Sequence, residues 1–430
     1  MISTGRVRYG VLAMLFVATL INYADRATLS LAAPVLSADL GIDKLALGVV
    51  FSAFGWAYVA VQVPGGWLLD RFGAPRVYLA AIVLWSAFTA MQGAVVWASG
   101  STAITLLFAL RFLVGLAEGP SFPGNARIVA AWFPARERGT ASAIFNSAQY
   151  FATVLFAPIM GWIIHGFGWP WVFVFMGAVG MGVAVIWARV VCDPADHPRL
   201  TDAERALIAE GAPPADPATL APVPMGRALR VLLTDRTLVG LYLAQFFITT
   251  LTYFFLTWFP VYLVEERHLS IVDAGLFSVV PAVCGFVGGV LGGVWSDWLL
   301  RRGASATVAR KVPMASGMLI ALSILGCNYV TSDAMVLLCM SAAFFGKGVG
   351  ALGWAVMADV APRRAGGLSG GIFNMFGNSA AIITPIVIGY VLKVTGSFDL
   401  VLALVAGCAL ASVVCVVAVM GRITRIELTD

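Results

Sequence analysis

The sequence predicts an all-α, polytopic membrane protein whose twelve transmembrane helices form two six-helix bundles. Three observations carry this prediction: a composition that is 60% hydrophobic and 11% charged, a series of long apolar segments, and an internal repeat. An average soluble domain is about 45–50% apolar and about 25% charged. This chain therefore has too few polar residues to cover a globule in water.

The long apolar segments are the first line of evidence. A run of 18 or more apolar residues with few charges is a candidate transmembrane helix. The first run follows Arg6 and Arg8; it is too long for a signal peptide and no small-residue cleavage pattern follows it, so we interpret it as a permanent span. The predicted spans lie at approximately 11–34, 46–68, 77–98, 102–124, 140–163, 168–191, 237–263, 272–296, 312–330, 334–357, 367–392 and 400–420.

A long polar stretch divides the spans into six plus six. Residues 193–236 are predicted to form a cytoplasmic linker between an N-terminal bundle at 1–192 and a C-terminal bundle at 237–430. Thr201 and Glu204 have the spacing of a capping box, so a short surface helix is expected to begin there. The rest of the stretch is rich in Pro and Ala and lacks periodicity, as is typical of a linker.

Basic residues indicate how the chain is oriented. An even number of spans places both termini on one side, and that side carries most of the Lys and Arg. The opposite side carries only Lys44, Arg267 and Lys393. Positive residues face the cytoplasm, so both termini are expected to be cytoplasmic in a bacterial inner membrane. The net charge of +5 then needs no nucleic-acid partner to explain it.

The two halves resemble each other at three places along the chain, with an offset of 227 or 228 residues each time. This agreement indicates a duplication, and two repeated six-span halves are typical of one transporter architecture, with its site between the halves. The matching pairs are 64–73 with 291–303, 144–146 with 372–374, and Pro158 with Pro385.

The segment "GGWLLDRFGAPR" lies in the predicted cytoplasmic loop between spans two and three. It resembles the G-x-L-x-D-R-x-G-x-x-x motif of the major facilitator superfamily, and the resemblance implies the major facilitator fold. It also implies a role in gating for Gly66, Asp70 and Arg71, with Asp297 in a degenerate copy. The alternative interpretation is an ordinary loop whose basic residues only set the topology.

Three further segments narrow the resemblance. They are "INYADRATLS", the stretch from "RFLVGLAEGPSFPGNARIV" to "SAQYFA", and "FFGKGVGALGW". Together they resemble the anion:cation symporter family, and within it the porters of D-glucarate and galactarate. The resemblance implies transport of sugar acids with a cation, usually a proton. It also matches sugar-acid-binding positions of the family to Tyr23, Arg26, Tyr58, Gln149 and Asn374.

Ionisable residues inside the predicted spans are the strongest candidates for function. Each costs roughly 2.5–3.5 kcal/mol on insertion scales, and the helices satisfy their own backbones without them. The alternative is a structural ion pair or a residue at a helix end. The five residues are Asp25, Arg26, Arg111, Glu118 and Lys347.

Spacing predicts that four of these charges come together. Asp25 and Arg26 share one stripe of span one with Asn22. Arg111 and Glu118 are seven residues apart and share a face of span four. If both polar faces turn inward, opposite charges meet in the core, with Arg111 as a charge partner.

The charges also predict a division of roles. Asp25 and Glu118 are the expected proton-coupling residues, because they are the carboxylates well inside spans. Arg26 offers a fork that suits one carboxylate, and Lys347 offers a second positive charge in the other half. Two separated cations suit a substrate with a carboxylate at each end. For any single amide, contact between helices is the alternative role. The predicted substrate-binding set is Tyr23, Arg26, Tyr58, Gln149, Lys347 and Asn374.

The expected function is that of a proton-coupled symporter that imports a sugar-acid anion, an aldarate such as D-glucarate or galactarate, by alternating access. One alternative is another organic anion, such as a hexonate, a hexuronate or an aromatic acid. A second alternative is an exchanger or uniporter without proton coupling, in which the buried acids are structural.

No enzyme is expected. The spans hold no histidine well inside them, the six cysteines have no metal or disulfide spacing, and no nucleotide-binding P-loop occurs. The expected partners are a small organic anion, protons and the surrounding lipid bilayer. The protein is expected to be a monomer and to need no cofactor, metal or nucleic acid.

Overall fold

Helices account for nearly all of the described chain. The computed structural model describes residues 7–209, 225–362 and 365–427, and no strand occurs in these ranges. Within them, twelve helical segments are long and apolar enough to cross a membrane. The predicted all-α class with twelve spans is therefore confirmed.

The helices of the first half include one short helix after span six. They are α1 (Val7–Leu40), α2 (Lys44–Phe72), α3 (Ala74–Gln92), α4 (Gly100–Glu118), α5 (Ser121–Trp132), α6 (Ala135–Phe167), α7 (Trp169–Val190) and α8 (Asp202–Ala209).

The helices of the second half begin with a short amphipathic one. They are α9 (Met225–Thr234), α10 (Arg236–Tyr253), α11 (Phe259–Glu265), α12 (Ile271–Phe277), α13 (Val279–Arg301), α14 (Ala306–Ala321), α15 (Asp333–Val349), α16 (Gly353–Val360), α17 (Gly366–Thr395) and α18 (Asp399–Val414).

Several spans consist of two helices in series. In span four, α4 ends at Glu118 and α5 begins at Ser121, because Pro120 cannot donate the next helical hydrogen bond. In span ten, the break between α15 and α16 contains Gly350. Broken helices of this kind line substrate sites in transporters.

The chain separates into two compact units. The first comprises the described residues within Met1–Ile42 and Ala53–Thr219, and the second those within Asp43–Ser52 and Leu220–Asp430. The same pairs of spans pack in each unit, as a repeat would produce. In the first unit α1 packs on α6 and α7, and in the second unit α10 packs on α17 and α18.

The beginning of α2 belongs to the second unit. Lys44 forms an ion pair with Glu265, and Lys393 donates to Asp43 at 2.8 Å. The Lys393 hydrogen bond, together with the Ala46 amide, holds the pKa of the Asp43 carboxyl below its usual range. A side chain at Gly48 would collide with the Pro385 carbonyl, so this helix start lies close against α17.

Helix α8 begins where the capping-box spacing predicts a surface helix, but its glutamate side chain has an unexpected partner. It begins at Asp202, and Thr201 Oγ1 accepts from the Glu204 amide at 3.3 Å, as a capping box requires. The Glu204 carboxylate does not complete the box. It is fully buried and accepts from the amides of Val7 and Arg8, at 3.4 and 3.1 Å. The carboxylate thus accepts hydrogen bonds from donors in the first turn of α1 that have no partner within that helix. Glu204 thereby anchors this short surface helix to the start of α1.

Glycine allows α4 to approach α2 closely in the first unit. A Cβ atom at Gly115 would lie 2.6 Å from the Phe54 carbonyl oxygen and 2.9 Å from the Ala57 Cβ. Real side chains do not tolerate such distances, so the residue type at 115 fixes the separation of the two helices.

We expect the substitution Gly115→Ala to lower the thermal stability of the purified protein, because overpacking costs about 1–3 kcal/mol. The matched control is Gly182→Ala in α7, where nothing lies within 4 Å of the added Cβ. That control should be neutral, or stabilising by up to about 1 kcal/mol. Thermal unfolding in detergent measures both, and equal melting temperatures would contradict this account of the α2–α4 contact.

Candidate functional site

A buried ion pair lies at the centre of the first unit. Arg26 Nε in α1 donates to Glu118 Oε2 in α4 at 2.8 Å. The Arg26 side chain is 6% exposed and Glu118 is fully buried. The predicted meeting of opposite charges from spans one and four therefore occurs in the structure.

Aromatic rings surround the same guanidinium. Its central carbon lies 4.7 Å from the ring centre of Tyr23, 4.6 Å from Phe54 and 5.1 Å from Tyr58. Cation–π contacts of this kind are worth about 2 kcal/mol or more when desolvated. Phe54 was absent from the sequence-based candidates, although its spacing of four residues from Tyr58 places it on the same face of α2.

Asp25 and Arg111 complete the charged cluster. Arg111 donates to the main-chain carbonyls of Asp25 and Arg26, at 3.2 and 3.1 Å. Its charge acts on the carboxylates of both Asp25 and Glu118, which also act on each other. Arg111 thus binds the backbone of α1 with hydrogen bonds while it supplies positive charge to two acids. The pattern of residues alone did not indicate this use of carbonyl acceptors.

The Asp25 carboxylate is buried without a hydrogen-bond partner among the described residues, at either oxygen. An ionised carboxylate in such a place is expensive, because nothing replaces the water it has lost. A protonated carboxyl is far less costly there.

The position of Glu118 has a counterpart in the second unit. Glu118 is the last residue of α4, directly before the break in span four, and Lys347 lies in the last turn of α15, directly before the break in span ten. The two are 229 residues apart, close to the offset of the sequence repeat. The same place in the two repeats therefore carries charges of opposite sign, a relation that the matched segments alone did not reveal.

The candidates of the second unit lie on separate helices. Lys347 is 6% exposed, with its Nζ 5.1 Å from the ring centre of Phe344. Asn374 in α17 accepts from Asn378 through its side chain and its carbonyl, each at 2.9 Å. Both amides are half-buried, as is Gln149 of α6, which donates to the Asn146 carbonyl at 3.0 Å.

The first copy of the predicted gate motif lies at the end of α2. Arg71 is exposed above the rings of Trp67 and Phe72. Gly65, rather than Gly66, makes the close helix contact, since a Cβ at Gly65 would lie 3.3 Å from Pro120 while nothing is within 4 Å of Gly66. The Asp70 side chain lies outside the described part of the structure.

In the second copy of the motif, the aspartate contacts an arginine of the neighbouring helix. The Asp297 carboxylate lies 3.5 Å from Arg310 on the neighbouring helix α14. Arg310 also donates to Asp359 at 2.9 Å and to Ser296 at 2.8 Å. The aspartate of this copy is thus one of two acids on a single arginine.

The sequence pattern of the Major Facilitator Superfamily matches residues 15–385, and the chain belongs to this superfamily of multi-pass membrane transporters. The solved structure of a D-xylose-proton symporter superimposes with a TM-score of 0.74, covering 96% of this chain and 98% of that one. At 15% identity, that likeness shows the fold alone.

More similar relatives narrow the resemblance. The chain is 55% identical to the probable galactarate/D-glucarate transporter of Bacillus subtilis, over 98% of this chain and 94% of that protein. The corresponding protein of Escherichia coli is also 55% identical, over 98% and 95%. An Escherichia coli D-galactonate transporter is 37% identical, over 98% and 97%. The resemblance seen in the sequence motifs is confirmed.

The Arg26–Glu118 pair yields a prediction about stability. We expect Arg26→Met to destabilise the protein by about 3–5 kcal/mol, because it leaves a buried carboxylate without its partner. The double variant Arg26→Met with Glu118→Gln should regain part of this loss. Thermal unfolding is measured for the unmodified protein, the two single variants and the double variant, which together form a double-mutant cycle. Arg71→Met, at an exposed arginine, is the control. Strictly additive losses would show that the two side chains do not stabilise each other.

Proposed function

We propose that this protein is a proton-coupled symporter that imports a sugar-acid anion, an aldarate such as D-glucarate or galactarate. The proposal draws its substrate class from relatives that are named as galactarate/D-glucarate transporters at 55% identity. It draws its mechanism from the charged cluster of the first unit.

The observation that carries the mechanism is the buried pair of Arg26 and Glu118. A substrate carboxylate that binds Arg26 competes with Glu118 for the guanidinium, which suits bidentate contact with a carboxylate. Glu118, deprived of its cation in a buried site, then takes up a proton. Anion binding and proton binding thereby favour each other, and this mutual coupling is the thermodynamic basis of symport.

Asp25 is the second proposed proton site. Its carboxylate is buried beside Glu118 and Arg111 and has no hydrogen-bond partner among the described residues. The two acids titrate as one coupled system, since each charge acts on the other. Tyr23 and Tyr58, whose rings contact Arg26, are placed to offer hydroxyls to a polyhydroxylated anion.

Lys347 is the proposed anchor for the second carboxylate of a dicarboxylate substrate. It is buried, it lies next to a helix break, and the carbonyl end of α15 favours a cation there. Gln149 and Asn374 are the proposed ligands for substrate hydroxyls. The motif residues Gly66, Asp70, Arg71 and Asp297 are proposed to act in gating during alternating access.

The proposed location is the bacterial inner membrane with both termini in the cytoplasm. The support is the concentration of Lys and Arg on the side of the termini. The protein is proposed to act as a monomer.

We expect Asp25→Asn and Glu118→Gln to abolish accumulation driven by a proton gradient, because neither side chain can then carry a proton. Exchange of labelled for unlabelled substrate should persist within about threefold, since exchange needs no net proton movement. Radiolabelled uptake into proteoliposomes, with a pH dye inside, measures both quantities. Asp273→Asn, an exposed carboxylate in α12, is the control.

Undiminished proton-coupled uptake in both variants would refute the assignment of the proton sites. Uptake by the unmodified protein that ignores an imposed proton gradient would instead favour exchange or uniport.

The substrate prediction is tested by measuring the transport of glucarate, galactarate, galactonate and glucuronate. We expect Lys347→Ala to raise the KM for the two dicarboxylates about tenfold, a cost of about 1.4 kcal/mol. The KM for the monocarboxylates should change much less, because they lack the second anionic end. Lys347→Arg, which retains the charge, serves as the control. Equal losses for both classes would remove the support for a second carboxylate anchor, and failure of all four to be transported would reject the sugar-acid proposal.

A further inference from the structure

A line of buried polar side chains leads away from the charged cluster within the first unit. Asn22 and Thr19 precede Asp25 at intervals of three residues along α1, so they lie on one stripe of that helix. Asn125 Nδ2 in α5 donates to Thr19 Oγ1 at 3.0 Å. Asn22 faces Glu118, which places the start of the line at the carboxylate.

Tyr78 of α3 ends the line. Its hydroxyl lies beside Thr19, Ser121 and Asn125. The ring is held in place by stacking on Trp187, with ring centres 4.4 Å apart, and by Gly124, where a Cβ would lie 2.9 Å from the ring. We call Asn22, Thr19, Ser121, Asn125 and Tyr78 the polar chain, and every one of these side chains is at most 1% exposed.

An open cavity of about 350 Å³ lies at one end of the first unit, lined by residues of α2, α3 and α5. Tyr78 is four residues from Ala74, and Asn125 is two residues from Arg127, and both Ala74 and Arg127 line this cavity together with Asp193. Helix α1 begins at this end and α5 finishes there. By the proposed topology this is the cytoplasmic end.

We propose that the polar chain conducts the coupled proton between Glu118 and this cavity, and hence to the cytoplasm. The proposal rests on the proton-coupled function proposed above. None of these residues is an ionisable group at neutral pH, and none belongs to the set assigned to substrate or proton binding. Asn125 lies in the "PSFPGNAR" stretch, whose asparagine the substrate site does not use.

The chemistry of the side chains fits conduction. Hydroxyls of Thr, Ser and Tyr both accept and donate, so each can take one hydrogen as it gives up another. Asn125 holds Thr19 as an acceptor, which leaves the hydroxyl hydrogen of Thr19 for the next group. Several polar atoms of the chain are buried and have no hydrogen-bond partner among the described protein atoms: both side-chain polar atoms of Asn22, Ser121 Oγ, Asn125 Oδ1 and the Tyr78 hydroxyl. Buried polar atoms of this kind usually bind internal water, which would bridge the remaining steps.

The transfer is balanced in protons. The O–H bond of protonated Glu118 breaks as a hydrogen-bonded water or hydroxyl forms a new one. Each hydroxyl or water along the chain then passes on one proton, and the last leaves to water in the cavity. The amides of Asn22 and Asn125 do not relay the proton; they orient the hydroxyls and waters by hydrogen bonds. No electron is transferred, and Glu118 returns to its ion pair with Arg26.

The test separates proton release from substrate movement. We expect Thr19→Val and Tyr78→Phe to slow net proton-coupled uptake about tenfold in proteoliposomes. Substrate exchange should stay within about threefold, because the carboxyls remain protonated throughout exchange. Thr19→Ser, which keeps the hydroxyl, should restore net uptake. Thr28→Val is the matched control, since this fully buried hydroxyl of the same helix donates to the Ala24 carbonyl at 3.0 Å.

Three outcomes would overturn the proposal. Net uptake and proton flux at the normal rate in Thr19→Val and Tyr78→Phe would show that protons take another route while the coupling itself stands. Loss of exchange together with net uptake in both variants would assign the polar chain a purely structural role. Absence of substrate-driven proton flux in the unmodified protein would refute proton coupling itself, and the route with it.

Discussion

The contact between Arg26 and Glu118 is the constraint on which the first unit depends. Two opposite charges lie in a core with almost no access to water, and burial of either alone would cost several kcal/mol. The guanidinium must therefore lie against the end of α4, and the rings of Tyr23, Phe54 and Tyr58 must surround it. The three helices that supply these groups cannot separate without exposing a charge to the apolar interior.

The break in span four places Glu118 at the carbonyl end of a helix. The carbonyl end of a helix attracts cations and repels anions. Glu118 at the end of α4 is placed against that preference, and Arg26 offsets the conflict. Lys347 at the matching place in α15 agrees with the preference. The anionic position thus depends on a cation from another helix, Arg26, whereas the charge of Lys347 agrees with the dipole of its own helix.

The sequence predicted the spans and part of the site for a clear physical reason. The cost of placing polar groups in lipid is so large that apolar length alone defines the helices, and spacing along α1 and α4 placed four charges on facing sides. The contacts that it did not predict depend on how helices approach each other. Arg111 donates to main-chain carbonyls, which no side-chain pattern records. Phe54 became part of the site only because Gly115 lets α2 approach α4 closely. The sequence does not distinguish Gly65 from Gly66, yet of these two only Gly65 lies close to another helix segment, at Pro120.

The anchoring of Glu204 has a consequence for the order of assembly. This carboxylate satisfies the backbone amides of Val7 and Arg8, which precede it by nearly the whole first half of the chain. During synthesis, the first span emerges long before its own first turn has a partner. That turn can be completed only after span six has been inserted and the chain has returned to the side on which it started. The first turn of span one is therefore completed by a residue that lies beyond all of the first six spans. An arrest of synthesis before residue 204 would leave the amides of this turn without that acceptor.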